Sequence, residues 1–198
     1  MISQSRKRNL ILASSSPYRK LLLQRLQLEF SVLSPAIDEA PLAQEAPEQL
    51  VARLAQEKAR TVAIQNPAAI VIGSDQVAVF EGNIIGKPGS AANALLQLRQ
   101  FSGNSVQFLT AVHLCCHDSG FDAGSMVITE VNFRPLTDGE IRRYVELDQP
   151  LDCAGGFKSE AAGISLLNSM YSEDPSAIIG LPLITVSDLL RKAGFTLP

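Results

Sequence analysis

The sequence predicts an α/β fold with a mixed central β-sheet flanked by helices. Three observations carry that expectation. In the first half, short apolar runs alternate with stretches of helical periodicity, the pattern of strands joined through helices. In the middle, residues 106–116 and 125–133 alternate in hydrophobicity around a turn rich in Asp, Ser and Gly, as an antiparallel hairpin does. Finally, 46% of the 198 residues are apolar and 19% charged, enough to bury a sizeable core, while 13 Gly and 11 Pro are too few for a low-complexity chain.

Residues 9–14 read as a buried strand. Pro17 suits the first turn of a helix, where its missing N–H costs nothing, and the amphipathic run behind it ends near Leu26. A short strand over 29–33 precedes a loop over 34–47 that carries three prolines and the acidic pair Asp38-Glu39. Pro47 opens a helix to about residue 64, with Leu50, Leu54, Ala55 and Lys58 at helical spacings. Residues 70–79 form an apolar strand interrupted by Ser74-Asp75-Gln76. A turn at 81–83 and a loop at 86–89 lead to a helix over 91–101, broken by Ser102-Gly103-Asn104. After the hairpin, Thr137 and Glu140 form a capping box ahead of Ile141, Tyr144 and Val145. Beyond Pro150 come a glycine-rich segment, an apolar strand over 164–167 and a last helix over 183–192. There is no internal repeat and no long linker, so residues 1–198 read as one unit, with residues 1–8 a short tail.

The charge balance excludes broad classes of partner. With 17 Lys+Arg against 20 Asp+Glu, the net charge of -3 gives no global attraction to nucleic acid or to an anionic membrane. Phosphate recognition must therefore come from a local cluster. No apolar run approaches the ~20 residues of a membrane span. The stretch after Arg6-Lys7-Arg8 is also shorter than the ~7–15 residues of a secretory core. Three cysteines, two of them adjacent, make no disulfide framework and point to a reducing cytoplasm.

Four polar clusters interrupt the apolar segments. Ser14-Ser15-Ser16-Pro17-Tyr18-Arg19 leads from strand to helix, where backbone N–H groups, hydroxyls and Arg19 can seat a phosphate; ordinary capping by Ser16 is the simpler reading. Asp38-Glu39 is either functional or merely solvated. Asp75 is more telling, because a carboxylate inside an apolar strand needs partners or a metal to offset its desolvation. In Gly155-Gly156-Phe157-Lys158-Ser159-Glu160 the glycines allow close approach to a ligand, and an extended backbone puts Lys158 and Glu160 on one face; a plain surface loop is the alternative. Lys58, which could simply snorkel, and Lys87 complete the basic set.

Familiar motifs fail on inspection. Residues 82–88 are one residue short of a P-loop and place Pro88 where a magnesium-binding hydroxyl belongs, and no dinucleotide-binding glycine fingerprint occurs. His113 and His117, spaced by four around Cys115, would share a strand face, but zinc ligands usually come from more than one element. What is left is carboxylates, lysines, an arginine and a hydroxyl-rich helix start. That inventory suits magnesium-dependent attack of water on a phosphate chain.

Residues 12–19, Asp38-Glu39, Gln56-Glu57-Lys58-Ala59, Gly73-Ser74-Asp75-Gln76-Val77, Gly86-Lys87-Pro88 and residues 155–160 occur in an order that resembles the Maf family of nucleotide pyrophosphatases, from about residue 9 to 195. The resemblance implies two lobes with a cleft between them, and a cytoplasmic, often dimeric, house-cleaning hydrolase. Such an enzyme uses a divalent cation, Mg or Mn, to split a nucleoside triphosphate into a monophosphate and pyrophosphate. By motif match Asp75 is the proton acceptor and, with Glu39, a metal ligand, while Ser14, Arg19, Lys58, Lys87 and Lys158 surround the phosphates. Tyr18, Gln76 and Glu160 stand where the dTTP/UTP branch typically has Arg, Thr and Gln, so the chain resembles the 7-methyl-GTP branch. Methylated guanine is cationic, which favours an aromatic face at Tyr18 and an anion nearby, and Glu160 can accept from a guanine edge. The competing readings are a dTTP/UTP pyrophosphatase and, in another class, a nucleotide-sensing regulator of cell division; a pure sensor has no use for carboxylates placed to activate water.

Overall fold

Strands of both orientations meet in one sheet. The computed structural model describes residues 9–198, and the tail expected over 1–8 lies outside the described residues. In chain order the elements are β1 (Leu10–Ala13), α1 (Pro17–Gln24), β2 (Ser31–Leu33), α2 (Pro47–Gln65), β3 (Ile70–Phe80), β4 (Asn83–Ile85), α3 (Ala91–Phe101), β5 (Ser105–Cys116), β6 (Phe121–Phe133), α4 (Asp138–Asp148), β7 (Leu167–Ser172) and α5 (Leu183–Lys192). The sheet runs β2-β1-β3-β5-β6-β7, with β4 paired to β3 outside this path. β1 is parallel to β2 and β3, and the remaining pairs are antiparallel.

Alternation along β1, β3 and β5 divides their side chains between two helical layers. Leu10, Leu12, Ile70, Ile72, Val112 and Leu114 pack under α1 and α5. Ile11, Ala13 and Val71 face Ala59, Val62 and Ala63 of α2, and further along Val77, Leu109 and Ala111 face Leu50, Leu54 and Ala55. The far ends of β3, β5 and β6 build a second lobe with α3 and α4, centred on Phe101, Phe108, Phe133 and Phe157. Their ring centroids lie 5.4–5.9 Å apart, tilted or edge-on, an arrangement worth ~0.5–1.5 kcal/mol per pair beyond the area buried.

The register of β3 opens the cleft. β1 accompanies it only to the pair Ala13–Gly73, and β4 joins only from Ala78–Ile85. Residues 74–77 thus have no neighbouring strand on that side, which is why a strand buried elsewhere can carry Ser74, Asp75 and Gln76 here. Asp75 points to the α2 side of the sheet and Gln76 to the opposite side.

Several expectations need correction. Of residues 164–167 only Leu167 lies in a strand, as the first residue of β7; Ala162–Leu166 is a 3-10 turn that buries Leu166 and exposes Ile164. β7 reads polar because it is a partly exposed edge. Asn83, expected in the turn, instead opens β4 with Ile84 and Ile85, a strand too short to show a period. The hairpin strands are longer than alternation indicated, reaching Phe121. His113 and His117 share no face: β5 ends at Cys116, His117 is exposed, and His113 is buried with Nε2 2.9 Å from Asp122. The Thr137–Glu140 capping box is present, with Thr137 N–H donating to Glu140 Oε2 at 2.8 Å.

Candidate active site

The cleft between the lobes has a volume of about 540 Å³. Its floor is the free edge of β3. Asp75 is 6% exposed, and its Oδ1 accepts a hydrogen bond from Lys58 Nζ at 2.7 Å. Among the described residues no hydrogen bond reaches its Oδ2. Lys58 replaces an apolar residue in the buried stripe of α2; at 5% exposure it does not snorkel. Its ammonium also pairs with Glu39 Oε1 at 2.9 Å, so two carboxylates of different loops and strands converge on one cation. Burial disfavours ionised Glu39, but the Lys58 hydrogen bond and the charges of Lys58, Lys87 and Arg19 outweigh it and hold the carboxyl below its ordinary pKa.

Glu39 comes from the proline-bounded loop, which Arg53 of α2 fastens. The Arg53 guanidinium donates to Glu45 Oε1 and Oε2 at 2.6 and 2.8 Å and to Ala40 O at 3.1 Å, next to Glu39 in the chain. Asp38 instead turns back on its own backbone, accepting from Ala40 N–H at 2.9 Å, as a solvated loop carboxylate does.

The serine-rich turn combines capping with a seat on the cleft. Ser16 Oγ accepts from Arg19 N–H at 3.3 Å as the N-cap of α1, and Ser14 Oγ accepts from Ser16 N–H at 3.1 Å, leaving the Ser14 hydroxyl proton unused by that bond. Arg19 Nε donates to Gly180 O at 2.8 Å. Burial lowers the pKa of this guanidinium, and the charges of Asp75 and Glu39 act in the opposite sense. Ser74, fully buried, donates to Ala111 O or Gly180 O, at 2.8 and 2.9 Å, so the 177–180 turn is tied to both α1 and β3. Gln76 Nε2 donates across the same turn, to Ala177 O at 2.9 Å and Thr110 Oγ1 at 2.8 Å. Those partners are acceptors only, since Thr110 gives its own proton to Ala177 O, and this fixes which way the Gln76 amide faces.

Of the residues singled out from sequence, Ser14, Tyr18, Arg19, Glu39, Lys58, Asp75, Gln76, Lys87 and Glu160 line this one cleft. Lys158 does not. Its Nζ donates to Asp148 O at 3.0 Å and lies 5.6 Å from the Tyr18 ring centroid, because Phe157 is anchored in the aromatic cluster and Tyr144 Oη accepts Lys158 N–H at 2.9 Å. Nor do Lys158 and Glu160 continue on one extended strand, since the backbone turns at 159–161. Sequence reasoning missed Asp152 and Cys153, which line the cleft beside Tyr18. The only signal was their place just ahead of the glycine pair.

Two hard carboxylate donors held side by side, with room for phosphate oxygens, fit a divalent ion of the magnesium type, which is commonly held by one or two carboxylates plus substrate. Among the described residues no group of three or more His, Cys, Asp or Glu could form a cage by itself.

Comparison with known proteins places these residues in context. The family described as "Maf-like protein" matches residues 9–193. A protein named 7-methyl-GTP pyrophosphatase from Polaromonas sp. (strain JS666 / ATCC BAA-500) is 52% identical over 190 residues, 96% of this chain and 87% of that protein. Another of that name from Aromatoleum aromaticum is 52% identical over 189 residues, covering 96% and 97%. Among solved structures, a HAM1 protein from Coxiella burnetii superposes with a TM-score of 0.47 at 16% identity, over 64% of this chain and 73% of that one.

Proposed function

The chain belongs to the Maf family, and on that premise we propose that it hydrolyses 7-methyl-GTP to 7-methyl-GMP and pyrophosphate. The observation that carries the reading is Asp75, set on the open edge of β3 with one oxygen on Lys58 and the other, among the described residues, without a hydrogen bond, facing a cleft lined by basic groups and by Tyr18 and Glu160. Water attacks the α-phosphorus; its proton goes to Asp75 as the new O–P bond forms, and the bond to the bridging oxygen breaks with its electron pair leaving on pyrophosphate. Lys58 orients Asp75 for that transfer. Arg19 and Lys87 neutralise charge on the phosphates, and the Ser14 hydroxyl donates to them. Asp75 and Glu39 would hold a Mg²⁺ or Mn²⁺ ion, which when bound supplies electrostatic stabilisation of the phosphate chain.

At the other end Tyr18 offers a ring for a purine, and Glu160 an acceptor for guanine N–H groups. The free thiols of Cys115, Cys116 and Cys153 suit a reducing cytoplasm. No helix among the described residues is long and apolar enough to cross a membrane.

The test is pyrophosphate release from 7-methyl-GTP, GTP, dTTP and UTP, with Mg²⁺, with Mn²⁺ and with a chelator. Preference for 7-methyl-GTP with loss of activity in chelator is expected; faster dTTP or UTP turnover, or none at all, overturns the reading. Base choice has its own check. The triple change Tyr18→Arg, Gln76→Thr and Glu160→Gln should lower the kcat/KM ratio of 7-methyl-GTP over dTTP by at least about tenfold. Because Thr cannot span to the 177–180 turn as Gln76 does, part of the effect should follow from Gln76→Thr alone. An unchanged substrate profile in the triple variant removes these residues as selectors.

A further inference from the structure

The cleft is polarised. Of its lining residues, Lys58 pairs with Glu39 and Asp75 while the charges of Arg19 and Lys87 act on Glu39, which groups them at the chemical end; Tyr18 and Cys153 meet Asp152, and Glu160 acts on Cys153, at the other. Among the described residues no basic side chain lines that second end. Lys158, the nearest cation, lies outside it, 3.9 Å from Asp152 Oδ1 and held by Asp148 O. Asp152 is not locked into the fold either. Its side chain is 58% exposed, and its closest protein donors, Tyr18 Oη and Cys153 Sγ, are each 3.5 Å away, at the limit of a hydrogen bond. A carboxylate that lines a cavity, touches the edge of an aromatic ring and lacks a close partner is available to a ligand.

Cys153, between Asp152 and Glu160 in the chain, has its thiol pKa pushed up to about 12, first by burial and then by the charge of Asp152; Lys158 acts in the opposite sense, and Glu160 adds a smaller push in the same direction as Asp152. One side of the Tyr18 ring already faces Lys158. A base stacking there therefore meets Lys158 beyond the ring, an unfavourable neighbour for a cationic base unless an anion stands closer.

We propose that Asp152 is a specificity-determining residue of this enzyme, supplying the counter-charge that selects the cationic 7-methylated guanine over neutral guanine. Glu160 then reads the hydrogen-bonding edge, which both bases share, so Asp152 and Glu160 divide the work: charge for one, donor pattern for the other. The inference rests on the 7-methyl-GTP reading above and adds a residue outside the Tyr18, Gln76 and Glu160 set.

The experiment compares Asp152→Asn and Asp152→Glu with the parent enzyme on 7-methyl-GTP and GTP, alongside affinity for the products 7-methyl-GMP and GMP by fluorescence titration. Asp152→Asn should reduce the 7-methyl-GTP/GTP ratio of kcat/KM about tenfold, chiefly through a raised KM for 7-methyl-GTP, with the affinity for 7-methyl-GMP falling more than that for GMP. Asp152→Glu, which keeps the charge, should retain most of the ratio. The effect should shrink at high salt, as a charge interaction at a half-exposed site does. If the parent enzyme prefers 7-methyl-GTP and Asp152→Asn leaves that preference intact, the Asp152 role falls while the function stands. If the parent enzyme shows no preference for the methylated nucleotide, both fall together.

Discussion

Asp75→Asn is expected to lower kcat on every nucleotide by at least about a thousandfold, the scale of a positioned general base, while the protein stays folded. The change is nearly isosteric, and the amide oxygen can still accept from Lys58 Nζ, which Asp75 Oδ1 does at 2.7 Å. Lys58 also keeps Glu39 at 2.9 Å, so its buried ammonium is not stranded without an anion. What disappears is the charge and the ability to take a proton on Oδ2, the oxygen that Lys58 does not hold. Because the loss lies in the chemical step, 7-methyl-GTP, GTP and dTTP should suffer alike, unlike the selector and Asp152 variants, which change ratios. Single-turnover pyrophosphate release beside a circular dichroism spectrum makes the check. Activity within about tenfold of the parent would remove Asp75 from the proton transfer and leave it an orienting residue.

How much of this was legible in the residues depends on the range of each contact. The strand and helix periods placed most elements, because burial on one face leaves a local record: α3 and α5 begin and end at the expected residues. Asp75 was legible for the same reason in reverse, as a charge where periodicity demanded an apolar residue. Its cause, the stretch of β3 between the end of β1 and the start of β4, was not, because it depends on two pairing registers at once. The Gln76 bonds to the 177–180 turn span about a hundred residues and leave no local pattern. Lys158 shows the limit of reading a cluster by composition. Its neighbours Phe157 and Tyr144 direct the backbone, and the ammonium ends at Asp148 rather than in the cleft. Asp152 was passed over because a single Asp in a loop before glycines looks like any solvated carboxylate.

Gly73→Ala is expected to cost about 3 kcal/mol of stability or more, a large effect for one methyl group. A Cβ at Gly73 would lie 2.1 Å from Ala55 O, 2.6 Å from Ala59 N and 3.0 Å from Ala59 Cβ. Two of those are backbone atoms of α2, which no rotamer change can move, so the helix must lift from β3. The residues it rests on, Ala55 and Ala59, flank Lys58, and Asp75 is the next residue along β3 on the same face. Lifting the helix therefore separates Lys58 from Asp75, and activity should fall further than the folded fraction alone explains. Gly139→Ala is the matched control, because its Cβ would meet only the flexible end of Arg143 at 3.3 Å, in the first turn of α4, where Ala is the better helix former. Denaturant midpoints for the two variants, with pyrophosphate release measured well below each midpoint, separate the effects. If Gly73→Ala unfolds at the parent midpoint, α2 does not rest on the strand at this glycine. If it is destabilised but turns over normally per folded molecule, the close approach of helix and strand serves the fold and is not what sets Lys58 against Asp75.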